Sequence, residues 1–210
     1  MKFEAVREEV CQTVVKACQA GLIRLSAGNI STRTQEGYVA ITPSAIKYDV
    51  LRPDQIAIVD LDGKYVDAPF KPSSETPMHT AILRNMPGVG AVFHTHSPMA
   101  MTFATLGKEI PVINLELFVC GAPIPVAPWA CPGTIEDGVV TVDIFGKRPN
   151  LKVCLLRSHG LVAIGKNLEN AFEMAYDAEV GMQIYYQALM IGEPAALTEE
   201  QINRVLIAYA

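Results

Sequence analysis

Residues 89–96, Val89-Gly90-Ala91-Val92-Phe93-His94-Thr95-His96, decide how the rest of the chain is read. Val89–Phe93 is a short apolar run that follows Pro87-Gly88, and it reads as a buried strand leading into two histidines. Side chains alternate faces along a strand, so His94 and His96 point the same way, the geometry two ligands of one metal need. Upstream, Met78, Ile82 and Met86 recur at helical spacing. Ser73 and Ser74 stand where a helix cap belongs, and Pro87-Gly88 marks the stop. Downstream, Pro98–Thr105 reads as a short helix. A strand held between two helices points to an α/β fold, where sites collect at strand ends.

Working outward, the same alternation continues. Residues 3–20 form an amphipathic helical pattern in which Val6, Val10, Val14 and Cys18 recur every four positions, with Gly21 as the stop. A small, polar stretch, Leu25–Gly28, leads into β-rich Asn-Ile-Ser-Thr-Arg-Thr. Tyr38–Ile41 reads as a short strand. Gln55–Asp60 and Lys64–Asp67 flank Asp62-Gly63 as a hairpin. Residues 109–129 mix β-branched runs with prolines, and Thr134–Phe145 reads as a helix. Leu151–Leu156 and Leu161–Ile164 read as strands separated by Arg157-Ser158-His159-Gly160. A long helix over Leu168–Ile191 and a capped one from Thr198 complete a single α/β domain over residues 1–210.

Composition narrows the function classes. With 210 residues, 50% hydrophobic and 19% charged, the chain has material for a sizeable core, which excludes disordered, collagen-like and coiled-coil classes. Mean hydropathy is +0.24, yet no stretch reaches the length of a spanning helix, so no membrane partner is expected. Acidic residues occupy the N-terminal stretch where a secretion signal needs an apolar run. A net charge of −5 without a Lys/Arg cluster argues against nucleic acid. The five cysteines, Cys11, Cys18, Cys120, Cys131 and Cys154, are odd in number and lack a C-x-x-C pair. Reduced thiols in a cytoplasmic protein are expected.

Only four histidines occur: His79, His94, His96 and His159. His159 in its Ser-His-Gly turn offers a third ligand beside His94 and His96, leaving open positions for substrate. Three neutral nitrogens suit zinc or another late divalent ion rather than magnesium or calcium, and nickel, cobalt and manganese stay open. His79 falls mid-helix and reads as structural. Ser26-Ala27-Gly28-Asn29 and Ser73-Ser74 read either as ordinary turns or as ligand-binding loops, the second with an anion-binding helix start. Glu75 is either a helix-dipole carboxylate or a functional one. Glu116, among apolar neighbours, is either surface-facing or a buried acid/base with a raised pKa.

Five motifs in order, Ser26-Ala27-Gly28-Asn29-Ile30-Ser31, Ile41-Thr42-Pro43-Ser44, Ser73-Ser74-Glu75, Val92-Phe93-His94-Thr95-His96-Ser97 and His159-Gly160-Leu161, resemble the class II aldolase/epimerase superfamily over about residues 5–190. The resemblance implies a three-layer α/β/α fold around a central, largely antiparallel sheet. It implies one Zn2+ per subunit on His94, His96 and His159, with Co2+ or Mn2+ as alternatives. It implies a phosphate pocket of Asn29, Ser44, Ser73 and Ser74, with backbone help near Gly28 and Ala45, where relatives often carry Gly. It also implies a homotetramer with the site at a subunit interface. Glu75 matches the aldolase members, whereas the epimerases carry Asp and the dehydratases Cys. Leu115 aligns with a tyrosine of the fuculose-phosphate aldolases, and Glu116 resembles the dehydratases' acid/base glutamate.

The expectation is therefore a metal-dependent aldolase that cleaves a ketose 1-phosphate, either fuculose 1-phosphate or a 5-deoxy- or 5-methylthio-pentulose 1-phosphate. The products are dihydroxyacetone phosphate and an aldehyde. Glu75 serves the carbon proton and Glu116 the hydroxyl proton. Alternatives on the same scaffold are a sugar-phosphate dehydratase, decarboxylase or 4-epimerase. An adducin-like interaction module without metal is the reading from another class.

Overall fold

A computed structural model describes residues 2–121 and 123–208. One eight-stranded sheet organises them. Its strands are β1 (Gly28–Arg33), β2 (Val39–Ile41), β3 (Ala57–Val59), β4 (Tyr65–Asp67), β5 (Ala91–Thr95), β6 (Val126–Ala127), β7 (Val153–Leu156) and β8 (Gly160–Gly165). They lie in the order β4-β3-β2-β1-β5-β8-β7-β6. Every neighbouring pair is antiparallel except β6 with β7. The seven helices are α1 (Glu4–Gln19), α2 (Thr76–Asn85), α3 (Pro98–Leu106), α4 (Leu115–Val119), α5 (Ile135–Lys147), α6 (Leu168–Ile191) and α7 (Glu199–Ala208). None is long and apolar enough to cross a membrane.

Helices cover both faces of the sheet, so its central strands are buried along their whole length. On one face, Ile30, Phe93, Leu161 and Ala163 pack with Val10 and Val14 of α1, Phe103 of α3 and Phe172 of α6. On the other, Val92, Val162 and Cys154 pack with Met78 and Ile82 of α2 and Phe145 of α5. This is the three-layer α/β/α arrangement with a largely antiparallel sheet that the superfamily resemblance implies.

Several elements differ in detail from the sequence reading. The central strand runs from Ala91 to Thr95, so His94 lies inside the sheet and His96 just beyond its end. Ser73 and Ser74 do not cap α2. The cap position is Glu75, and Ser73 Oγ accepts a 3.2 Å hydrogen bond from the Glu75 amide, shaping the turn before the helix. Within residues 109–129 a short helix forms, α4, whose first turn is capped by the Asn114 side chain accepting from Leu117 N. At Thr198 the expected cap is reciprocal: Gln201 N donates to Thr198 Oγ1 and Thr198 N donates to Gln201 Oε1.

The buried stripe of α1 is Arg7, Val10, Cys11, Val14 and Ala17 rather than an every-fourth series. A period of 3.6 residues drifts away from a strict four, which leaves Val6 and Cys18 at the margin and brings Arg7 inside. Arg7 is 1% exposed. Its guanidinium donates to the Ile56 carbonyl at 2.6 Å and the Asp67 carbonyl at 2.9 Å, and it pairs with the Asp67 carboxylate at 3.0 Å. It therefore fastens α1 to the β3–β4 hairpin. Arg7→Met leaves these carbonyls without a donor and should cost roughly 2–4 kcal/mol. Thermal denaturation should show a melting temperature lower by about 5–15 °C; an unchanged one would show that the hairpin holds without it.

Candidate metal centre and active site

The middle of the sheet brings the sequence-distant histidines together. Antiparallel register sets Asn29 of β1 directly beside His94 of β5, and Val162 of β8 on its other side. His96 follows the end of β5. There Glu179 of α6 fixes the start of α3 by accepting from Ser97 Oγ at 2.7 Å, Met99 N at 2.8 Å and Ala100 N at 3.0 Å. His159 sits in the turn from β7 to β8. The next residue is glycine because a Cβ at Gly160 would lie 2.4 Å from the Thr95 carbonyl and about 3 Å from the His94 and His96 rings. From the opposite layer, the start of α2 delivers Glu75.

Four donor groups converge: one atom each of Glu75, His94, His96 and His159 lies within 4.8 Å of the others. His94 Nε2 is 2.9 Å from His96 Nε2 and 3.2 Å from Glu75 Oε2. His159 Nε2 is 2.9 Å from Glu75 Oε1, yet no donor is aimed at that buried oxygen. His94 Nδ1 faces the Leu161 carbonyl at 2.9 Å, so this nitrogen carries the proton and Nε2 presents its lone pair to the cluster. Burial pushes His94 down to about 3, and burial together with His159 also lowers His96. Both rings are thus neutral ligands at neutral pH. Burial works against ionising Glu75, but His94, His159 and Asn29 outweigh it and hold the carboxyl well below its usual range. The imidazoles of His94, His96 and His159, an ionised carboxylate and an oxygen without a donor fit a divalent cation.

A cavity of about 260 Å³ opens beside this cluster. Gly28, Asn29, Ser44, Ala45, Ser73 and Ser74 line it, together with Glu75, His96 and His159. Gly28 adopts φ +106, and a Cβ there would lie 2.7 Å from the His94 carbonyl, so only glycine lets β1 approach the metal-side strand this closely. Ala45 holds φ 60, a left-handed conformation costing roughly 1–2 kcal/mol for a residue with a Cβ. Tyr48, unremarked in the sequence, donates from its hydroxyl to the Gly28 carbonyl at 2.7 Å and pins the loop. Asn29 lines the cavity, but its amide is turned toward Glu75 and His79.

Glu116 is elsewhere. It does not line this cavity; it sits half-buried on α4, close enough to Asp177 of α6 to help raise that carboxyl. Of its two sequence readings, surface-facing or buried acid, its half-buried place on α4 is nearer the first. Asp137 is the opposite case. As one of two acids in Thr134-Ile135-Glu136-Asp137 it looks like ordinary helix-start chemistry, but the structure buries it near the site with Oδ2 unpartnered. Burial pushes it up to about 6, Glu75 adds to the rise, and His159 opposes it.

A carboxyl bound more tightly to its proton in the folded state stabilises the fold fully below about pH 4. That stability is lost as pH rises through about 6. Asp137→Asn should therefore stabilise the metal-free protein above pH 6, by a few kcal/mol at most, with the gain vanishing toward pH 4. Melting curves at pH 4 and pH 7.5 check this; a gain equal at both would show that ionisation of Asp137 is not the cause.

Comparison with known proteins agrees with this geometry. The family model described as class II aldolase and adducin N-terminal domain matches residues 8–186. A 5-deoxy-D-ribulose 1-phosphate aldolase of Bacillus thuringiensis serovar kurstaki is 35% identical, covering 98% of this chain and 95% of that protein. A 5-methylthioribulose-1-phosphate/5-deoxyribulose-1-phosphate aldolase of Rhodospirillum rubrum is 34% identical, over 96% of this chain and 90% of its own length. The solved structure of an L-fuculose 1-phosphate aldolase superposes with a TM-score of 0.92 at 29% identity, covering 100% of this chain and 98% of that one. The chain belongs to the class II aldolase and adducin N-terminal domain family.

Proposed function

We propose that this chain, acting as one domain over residues 1–210, is a metal-dependent aldolase that cleaves a ketose 1-phosphate to dihydroxyacetone phosphate and an aldehyde. One observation carries the reading. One cavity is lined by the hydroxyl residues Ser44, Ser73 and Ser74 and by Glu75, His96 and His159, three members of the four-donor cluster that His94 completes. The names of the two bacterial relatives favour a 5-deoxy- or 5-methylthio-pentulose 1-phosphate, with fuculose 1-phosphate as the neighbouring choice.

His94, His96 and His159 would hold the metal, with Glu75 as a fourth donor, and zinc suits the donor set best, ahead of cobalt or manganese. When bound, the ion supplies Lewis-acid stabilisation of the negative charge that develops on substrate oxygens. The protein's own groups do the rest. Ser44, Ser73 and Ser74, with Asn29 and the backbone near Gly28 and Ala45, anchor the phosphate and so fix the distance of C3 from Glu75. In the condensation direction Glu75, ionised, takes a proton from C3 of dihydroxyacetone phosphate and passes it to solvent; in cleavage Glu75 takes up a proton from solvent and gives it to C3. A second group must take the C4 hydroxyl proton as the C3–C4 bond breaks. Glu116 is the candidate, and since it does not line the cavity of its own subunit it would serve the site of a neighbouring subunit in a homotetramer. Exposed Leu189, Met190 and Ile191 at the end of α6 offer apolar surface for such packing. Five free cysteines, with burial raising Cys11, Cys120 and Cys154, suit a cytoplasmic enzyme.

Two measurements test this. His94→Ala, His96→Ala and His159→Ala should each lose most bound metal by elemental analysis and nearly all activity, roughly 100-fold or more; full metal occupancy in His159→Ala would remove that residue from the site. Solvent deuterium exchange into dihydroxyacetone phosphate separates the two glutamates. Glu75→Gln should slow exchange and cleavage together by about 100-fold or more, whereas Glu116→Gln should slow cleavage while leaving exchange largely intact, because exchange does not involve the aldehyde oxygen. The reverse pattern would exchange their roles, and full cleavage by both variants would overturn the mechanism.

A further inference from the structure

We propose that His79 is a positioning residue for the reaction: through the amide of Asn29 it sets the orientation in which Glu75 is held. The inference rests on the proposed role of Glu75. Its basis is a continuous chain of hydrogen bonds running from the core of the sheet to the site. Ser31 Oγ is 2.7 Å from His79 Nδ1, His79 Nε2 is 2.5 Å from Asn29 Oδ1, and Asn29 Nδ2 is 2.6 Å from Glu75 Oε2. Glu75 in turn meets His94 and His159. No member of the chain is more than 7% exposed, and His79 and Ser31 are wholly enclosed.

Two periodicities make this arrangement. Along β1, Asn29 and Ser31 are two apart and share the face opposite Ile30, which packs into the α1–α6 layer. On α2, Glu75 and His79 are four apart and stack one turn above the other, with the His79 amide bonded to the Glu75 carbonyl at 3.2 Å. The two pairs interleave between strand and helix.

The chemistry of the chain fixes every proton in it from one end. Asn29 sets its amide nitrogen 2.6 Å from Glu75 Oε2, and a carboxylate oxygen accepts from that N–H. Asn29 Oδ1 is then left facing His79, which must carry its proton on Nε2. Nδ1 is consequently bare and accepts from the Ser31 hydroxyl. Burial, opposed by Glu75, brings His79 down to about 4, in keeping with a neutral ring. The opposite tautomer would flip the Asn29 amide and turn its oxygen onto the carboxylate. His79 therefore does what an apolar residue of equal volume cannot. It holds the Asn29 N–H on Glu75, and with it the carboxylate at the angle from which it reaches the substrate carbon.

The test has one arm without variants and one with them. Nitrogen-15 NMR of histidine-labelled wild-type protein should show His79 neutral, with its proton on Nε2, from pH 5.5 to 8. A proton on Nδ1, or an imidazolium, overturns the proposal. In the second arm, His79→Leu should lower the rate of proton exchange on dihydroxyacetone phosphate by about 10- to 100-fold at saturation. KM and metal content should stay within about 3-fold. His79→Gln, whose amide can place an N–H where Nε2 stands, should recover most of that loss. If His79→Leu exchanges within about 3-fold of wild type, or His79→Gln is as slow as His79→Leu while both are folded, the positioning role is wrong. If the leucine variant does not fold, the glutamine variant and the tautomer decide alone. Failure of the aldolase reading looks different: wild type itself then shows no exchange, which overturns the catalytic meaning of the chain even with the Nε2 proton in place.

Discussion

A carboxylate taken out of water must be met by donors or by positive charge, or it does not ionise. Glu75 is 6% exposed, and much of the surrounding architecture answers that requirement. Asn29 donates to one oxygen and His79 behind it keeps that donor in place, while the other oxygen, 2.9 Å from His159 Nε2, has no donor and is left for a cation. Placing this residue at the cap position of α2 also puts it at the N-terminal end of that helix, where negative charge is favoured. The helix, the two central strands and the β7–β8 turn are thus held in register by what one acid needs.

Sheet order is what makes the arrangement possible. β1, β5 and β8 are far apart in the chain yet lie side by side, because antiparallel neighbours need no fixed separation in sequence. The register then decides which side chains meet. A shift of one residue in the β1–β5 ladder would turn Asn29 to the α6 side and put Ile30 against His94. Apolar residues on both faces guard against that slip, since it would also drive Asn29 and Ser31 into the core under α1 and α6. The same packing that stabilises the fold therefore holds the hydrogen-bond chain to Glu75.

Much of this was legible in the residues themselves. Alternation along a strand made His94 and His96 a pair, and a glycine turn after a second strand made His159 their companion. The helices at 4–19, 135–147 and 168–191 follow from apolar spacing, and the hairpin from Asp62-Gly63. What was not legible depends on which face of one element meets which face of another. His79 looked structural because a histidine in an apolar helix usually is. Its partners, Asn29 and Ser31, lie about fifty residues away on another element. Asp137 carries no local mark distinguishing it from Glu136, and only tertiary burial does so. Glu116 drew attention for its apolar neighbours, but those residues form a short helix whose partner is α6, and the acid does not line the cavity. Arg7 was hidden by the every-fourth valines, since a strict four-residue series and a 3.6-residue helix part company within two turns.

The donor cluster also separates an enzyme from a module that keeps only the fold. In a purely structural protein, two buried imidazole nitrogens 2.9 Å apart and a carboxylate oxygen without a donor are unpaid costs, and apolar replacements of similar size would relieve them. The local backbone adds to those costs: Ala45 and Ser158, either side of the cavity, are held in left-handed conformations. Strain and frustrated polar groups gathered at one end of one sheet are the mark of a site selected for what it binds. The frustration is moreover specific. Donor atoms of Glu75, His94, His96 and His159 gather within 4.8 Å of one another, the Leu161 carbonyl fixes the proton of His94, His79 backs Asn29, and a cavity lined by Glu75, His96 and His159 opens beside them. A divalent cation would satisfy this arrangement, and the cavity beside it leaves room for a substrate.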